Sequence, residues 1–206
     1  MNDPRTILEP IAGYLLDFVN RLRNKPFTPH SLTKLHNLRT TRRMSGATTV
    51  VEIGTYKGVT TRRLSRLFEK VVTIEIDEKL YKHARQRCAG RNNIVFHLGD
   101  GSKLLPEILA TENNILVFLD GHFSGEGTGH GDEPEPALQE LDLIAANLAR
   151  VSAVVVDDFR LFGVEPGWPR KSELLAKLEA TFPQTHWHII PLNDQILTYR
   201  RQERWT

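Results

Sequence analysis

The chain has 206 residues, 40% hydrophobic and 25% charged, with 27 Lys and Arg against 25 Asp and Glu. This size and balance suit one soluble domain with a full core. The paired arginines at 42–43, 62–63 and 200–201 are scattered and form no stripe for a nucleic-acid partner. The single cysteine, Cys88, excludes an internal disulfide and a multi-cysteine zinc site. No apolar run approaches the ~20 residues that cross a bilayer, so no membrane partner is expected. Met1-Asn2-Asp3-Pro4 lacks the basic-then-apolar pattern of a leader, so the expected location is cytoplasmic.

Residues 1–48 read as an N-terminal helical cap. Ile7-Leu8, Ile11, Leu15-Leu16 and Val19 recur at helical spacing, and Ser31–Leu38 predicts a second, shorter helix after the break at Asn24-Lys25-Pro26. Residues 49–206 alternate strand and helix. Strands are expected at Val50–Ile53, Val71–Ile76, Ile94–Leu98, Ile115–Leu119 and Ala153–Val156. The helices between and after them fall at Val59–Phe68, Glu78–Ala89, Ser102–Leu109, Pro136–Leu148 and Lys171–Phe182. Trp187–Leu192 and Gln195–Arg200 flank the turn Asn193-Asp194 and read as an antiparallel hairpin. The pattern predicts an α/β fold: a doubly wound, Rossmann-like, mostly parallel seven-stranded sheet ending in an antiparallel hairpin.

In such sheets a ligand settles at the carboxyl ends of the strands. The first strand ends in Glu52-Ile53-Gly54-Thr55-Tyr56-Lys57-Gly58, where Gly54 permits a sharp turn and Gly58 a close approach of the helix to a ligand. The spacing lacks the G-x-G-x-x-G of dinucleotide binders. Glu75, at the end of the second strand, is placed to accept protons from two ribose hydroxyls. Asp100, Gly101 and Ser102 follow the third strand, where an acid and backbone amides can read an adenine edge. Asp120 ends the fourth strand, and Asp157 and Asp158 the fifth. Three such acids repel one another unless protonated or bound to a cation such as Mg²⁺; alternatively Asp120 caps a loop while Asp157 and Asp158 take backbone amides or an arginine such as Arg160.

The runs V-V-E-I-G-T-Y-K-G, V-V-T-I-E-I-D and L-G-D-G-S resemble the class I S-adenosylmethionine-dependent methyltransferases, from about Thr49 onward. The resemblance implies that Glu52, Gly54, Thr55, Tyr56 and Gly58 hold the methionine part of S-adenosylmethionine. It implies that Glu75 takes the ribose, and that Asp100, Gly101 and Ser102, with Asp120 beside them, complete the cofactor site. D-G-H at 120–122 and V-V-V-D-D-F at 154–159 resemble metal-dependent O-methyltransferases of the macrocin and catechol types. That implies a divalent cation, Mg²⁺, on Asp120, Asp157 and Asp158, with His122 as general base toward a hydroxyl of a small-molecule acceptor. The alternatives are a metal-independent methyltransferase for nucleic acid or protein, and a non-catalytic S-adenosylmethionine-binding protein. The glycine-rich stretch 121–131 reads as a lid or an anion site, and Trp168 as an acceptor-pocket wall or an apolar plug.

Overall fold

The computed structural model describes residues 8–23, 25, 28–121 and 135–201. Among the described residues seven α-helices, α1 (Leu8–Leu22), α2 (Ser31–Ser45), α3 (Val59–Leu64), α4 (Glu78–Arg87), α5 (Gly101–Thr111), α6 (Ala137–Ala145) and α7 (Lys171–Thr181), accompany seven strands. The strands are β1 (Thr49–Ile53), β2 (Lys70–Glu75), β3 (Ile94–Leu98), β4 (Ile115–Leu119), β5 (Val151–Val156), β6 (Trp187–Leu192) and β7 (Gln195–Arg200). Their order across the sheet is β3-β2-β1-β4-β5-β7-β6. β1 to β5 pair in parallel, and β7 lies antiparallel between β5 and β6. The predicted strands and hairpin are therefore present, and the switch in strand order falls between β1 and β4.

The central strands are apolar on both faces because helices cover both. Val51, Ile53, Val117, Leu119, Val154 and Val156 point to the side of α5, α6 and α7. Val50, Leu116, Phe118, Ala153 and Val155 point to the other side, where Leu38 of α2 and Leu64 of α3 pack. Each fully buried Leu or Val side chain contributes about 2 kcal/mol of transfer free energy. Because side chains alternate along a strand, Glu52, Asp120 and Asp157 share the α2 face with Val50, Phe118 and Val155.

α2 is longer than its predicted span and belongs to the core. Leu38 is fully buried, the Asn37 amide donates to Gln195 Oε1 at 3.0 Å, and Gly46 ends the helix at φ 70° with its N–H on the Arg42 carbonyl. α1 departs from expectation in another way. Its apolar residues Ile11, Leu15, Phe18 and Leu22 are exposed, whereas Gly13 and Asp17 face the rest of the fold. Gly13 packs against the His30 ring, and Asp17 accepts from the His30 amide at 2.8 Å and the Thr33 hydroxyl at 2.5 Å. A carboxylate near the start of α2 is favoured by the helix dipole. Among the described residues, no helix is long and apolar enough to cross a membrane.

Candidate functional site

The chain leaves β1 in a tight turn. The Gly54 and Thr55 amides both donate to the Ile74 carbonyl, at 3.1 and 3.2 Å, and the Gly58 amide donates to the Thr55 carbonyl at 2.9 Å. Gly54 sits at φ 94°, and a Cβ there would lie 2.3 Å from the Asp120 carbonyl oxygen. Only glycine allows the ends of β1 and β4 to meet this closely. At Gly58, φ is 72° and an added Cβ would lie 3.0 Å from Cα and Cβ of Ala84, so the glycine lets α3 and α4 approach closely. Thr55 is also turned inward, with its hydroxyl 2.6 Å from that of Thr73 and 3.0 Å from the Ile74 carbonyl. Tyr56 keeps an exposed ring, and its amide donates to Glu75 Oε2 at 2.7 Å.

Three acids stand at or just beyond the ends of β1, β2 and β3. Glu52 is fully buried; its Oε2 accepts from the Thr61 and Thr73 hydroxyls at 2.6 and 2.7 Å, while its Oε1 has no hydrogen-bond partner. Burial raises its carboxyl to about 7, against the lowering effect of the two hydroxyls. Glu75 accepts from Tyr56 and Asp77 amides, one on each oxygen. Burial raises it too, and the amides only partly oppose this. Asp100 caps α5, with Oδ1 accepting from the Ser102 amide at 3.0 Å and hydroxyl at 2.8 Å. Burial would raise the Asp100 carboxyl, but Ser102 and Lys103 outweigh it and hold it below the usual range. The Ser102 hydroxyl is thereby committed to Asp100.

The proton on Glu52 has a measurable consequence. The folded protein holds it more tightly than the unfolded chain, where glutamate titrates near ~4.3. The stability this gives is complete below that pH, falls as pH rises, and is lost above about 7. Glu52→Gln removes the titration, so relative to the parent the variant should gain on the order of 2 kcal/mol between pH 5 and pH 8. Urea denaturation at both pH values measures this; an identical pH dependence in the two proteins would rule it out.

Glu140 is a fourth acid that sequence reasoning missed. It is buried on α6 with Oε1 unpartnered, and it lies beside Gly101, whose added Cβ would come within 3.3 Å of that oxygen. Burial, reinforced by Glu135 and Asp100, raises its carboxyl to about 8. The available signal was its spacing: Glu140 falls on the same helical stripe as Ala137, Leu141 and Ile144, where a carboxylate is out of place.

At the ends of β4 and β5 the structure brings Asp120, Asp157 and Asp158 together, and it adds a cation that the sequence did not reveal. The Lys34 ammonium, from α2, lies 2.9 Å from Asp157 Oδ1 and 2.6 Å from Asp158 Oδ1. Lys34 stands one turn before the buried Leu38, which aims it along the face that Asp120 and Asp157 share. Burial would lower its pKa, but the three aspartates hold it above the usual lysine range. Asp120 is pushed well up by desolvation and by Asp157, although Lys34 opposes this. Asp158 has left-handed backbone, φ 50° and ψ 39°, and its amide donates to Asp157 Oδ1 at 2.8 Å. Non-glycine residues held in this region concentrate at functional sites.

Arg160 closes the far side. Its guanidinium donates to Asp158 Oδ1 at 2.6 Å and also pairs with Asp194, while its amide donates to Asp194 Oδ1 at 2.8 Å. The hairpin turn of β6 and β7 is thus tied to the end of β5. Both Asp158 and Asp157 take partners of the amide-and-arginine kind weighed from the sequence, with Lys34 added. A divalent cation does not fit this arrangement, because Asp157 Oδ1 and Asp158 Oδ1 are already engaged by the ammonium. Among the described residues, no group of three or more His, Cys, Asp or Glu is arranged to hold a metal. His122 and the 122–131 part of the glycine-rich stretch lie outside the described residues. Trp168 packs edge-on against Phe162 at 5.1 Å within the core, in the role of an apolar plug.

A doubly wound sheet of this order, with an acid at or just beyond the ends of β1, β2 and β3, has the fold of the class I S-adenosylmethionine-dependent methyltransferases. An O-methyltransferase from Bacillus cereus, solved with S-adenosylhomocysteine, superposes with TM-score 0.63 at 20% identity over 95% of this chain and 93% of its own. The O-methyltransferase TomG of Streptomyces achromogenes, from tomaymycin synthesis and solved with S-adenosylmethionine, gives 0.64 at 18% identity over 95% and 100%. An rRNA methylase from Streptococcus thermophilus gives 0.52 at 17% identity over 82% and 95%. The family model of ribosomal RNA adenine dimethylases matches residues 30–117. No curated protein matches the chain.

Proposed function

We propose that the chain is an S-adenosylmethionine-dependent methyltransferase acting on a hydroxyl of a small molecule. The observation that carries this is the set of carboxylates, Glu52, Glu75 and Asp100, at the successive ends of β1, β2 and β3, beside a turn that only Gly54 permits. The donor set fits the cofactor. Glu52 has a buried oxygen without a partner for the methionine end, and each Glu75 oxygen has one amide and capacity for a ribose hydroxyl. Asp100 caps α5 beside Gly101, where the adenine edge would lie. When bound, S-adenosylmethionine supplies a sulfonium-activated methyl group, which an acceptor oxygen takes as the carbon–sulfur bond breaks and its electron pair stays on sulfur.

The chain's own part is to hold the acceptor and remove its proton. Asp120 adjoins the cofactor turn through the contact with Gly54 and has raised proton affinity, which suits a carboxylate near an acceptor hydroxyl. His122, two residues further, remains the proposed base. A small-molecule acceptor is favoured over nucleic acid for two reasons. The basic residues form no stripe, and the adenine dimethylase match stops at residue 117, short of Asp120, so it bears on the cofactor half of the fold alone. Both O-methyltransferases described above cover more of the chain than the rRNA methylase does. Calorimetric titration with S-adenosylhomocysteine tests the cofactor reading; one-to-one binding is expected, and no binding to the folded protein would end it.

A further inference from the structure

The ammonium among the acids has a role of its own. We propose that Lys34 is the built-in cation of the Asp120–Asp157–Asp158 cluster, a positioning residue standing where metal-dependent O-methyltransferases keep a divalent ion, so that this site excludes such ions. The inference deepens the methyl-transfer reading and rests on it for the meaning of the site, though not for its geometry.

Three observations carry it. First, Lys34 meets both carboxylates of the β5 end at once, at 2.9 and 2.6 Å, with its side chain only 21% exposed. A divalent ion bridging those two oxygens would have to take the ammonium's place. Second, the ammonium is delivered by a fixed element and not by a surface side chain free to swing away. α2 is anchored by Leu38 in the core, by the Asn37–Gln195 hydrogen bond at 3.0 Å, and by the buried Thr41. Third, Asp158 Oδ1 is shared between Lys34 and the Arg160 guanidinium, so positive charge already flanks it on two sides. A divalent ion coordinates carboxylate oxygen at about 2.0–2.6 Å. At that range from the same oxygens it would collide with the ammonium in both space and charge, and one of the two cations must leave.

The consequence is that Asp157 and Asp158 are held in place without metal. Lysine is a point charge with three donors, enough to bridge two neighbouring carboxylates, whereas arginine in its place keeps the charge with a different geometry.

Mn²⁺ binding, followed by electron paramagnetic resonance, tests the proposal on the intact chain and on Lys34→Ala and Lys34→Arg. The wild type should take up no stoichiometric Mn²⁺ at millimolar concentration. Lys34→Ala should gain one site, at least tenfold tighter than any residual wild-type binding, that is lost again in the Lys34→Ala/Asp157→Asn double variant. Lys34→Arg should remain closed to Mn²⁺. S-adenosylhomocysteine affinity of the wild type should stay within twofold on adding excess chelator. Stoichiometric Mn²⁺ on the wild type, abolished by Asp157→Asn, would overturn the proposal and requires no Lys34 variant to fold. A folded Lys34→Ala that gains no site would overturn it as well. Failure of the wild type to bind S-adenosylhomocysteine would refute the cofactor reading alone, because the Mn²⁺ measurement reads Lys34 independently.

Discussion

Replacing Glu75 with alanine is expected to weaken S-adenosylhomocysteine binding at least a hundredfold. Hydrogen bonds to a carboxylate contribute about 1.5–3 kcal/mol each, and the ribose would offer two hydroxyls to this one group. The substitution also strips acceptors from the Tyr56 and Asp77 amides, which donate to Glu75 at 2.7 and 2.9 Å. The turn after β1 and the start of α4 therefore lose their common anchor. Calorimetry on the folded variant measures the affinity. A loss smaller than tenfold would show that Glu75 organises the backbone without meeting the cofactor.

Gly54→Ala should be the most damaging small substitution in the site. The new Cβ would lie 2.3 Å from the Asp120 carbonyl oxygen, 2.7 Å from its carbon and 2.8 Å from Gly121 Cα, and φ is 94°. All three neighbours are backbone, so β1 and β4 must separate at their carboxyl ends. Backbone strain of this kind costs about 1–3 kcal/mol and overpacking a comparable amount. A loss near 4 kcal/mol corresponds to a fall of roughly 10 °C in Tm for a chain of this length. Gly90→Ala supplies the comparison, since its φ of 82° is equally left-handed but nothing lies within 4 Å of the added Cβ. It should lose only the strain. If the two variants melt together, crowding by the β4 end is not what makes Gly54 necessary.

The layers of the fold were legible because each strand is short, apolar and bounded by turn residues, as in Ile115–Leu119, which is buried throughout. The hairpin was legible from Asn193-Asp194, and Asn193 does adopt the left-handed φ of 57° that such a turn requires. The placement of Glu52, Glu75 and Asp100 at strand ends was legible because strand ends can be located from sequence. What could not be read was direction. Thr55 and Gly58 both lie in the turn after β1, yet one points to Thr73 and the other abuts Ala84, because neighbouring strands and helices claim that space. Lys34 was missed for a related reason. Its partners lie more than a hundred residues away, and only the parity of β4 and β5, combined with the docking of α2 on one face, brings them together. Glu140 could have been found from its helical stripe, but its meaning depends on α5, which presents Gly101 beside it.

The anchoring of α2 also bears on the order in which the molecule assembles. Its fixed points, Gln195, Leu197 and Asp158, lie on β7 and at the end of β5. A helix completed early in synthesis has to wait for strands made late, and the closure entropy of that long intervening loop is met before the contacts repay it. The β1–β4 half can pair from nearer neighbours while α2 still lacks its seat. Lys34 reaches Asp157 and Asp158 from α2, which is itself seated on β7, so the packing that buries the aspartates also delivers the cation that offsets their repulsion. Burial of the acids and arrival of their counter-ion are therefore tied to the same union of helix and hairpin.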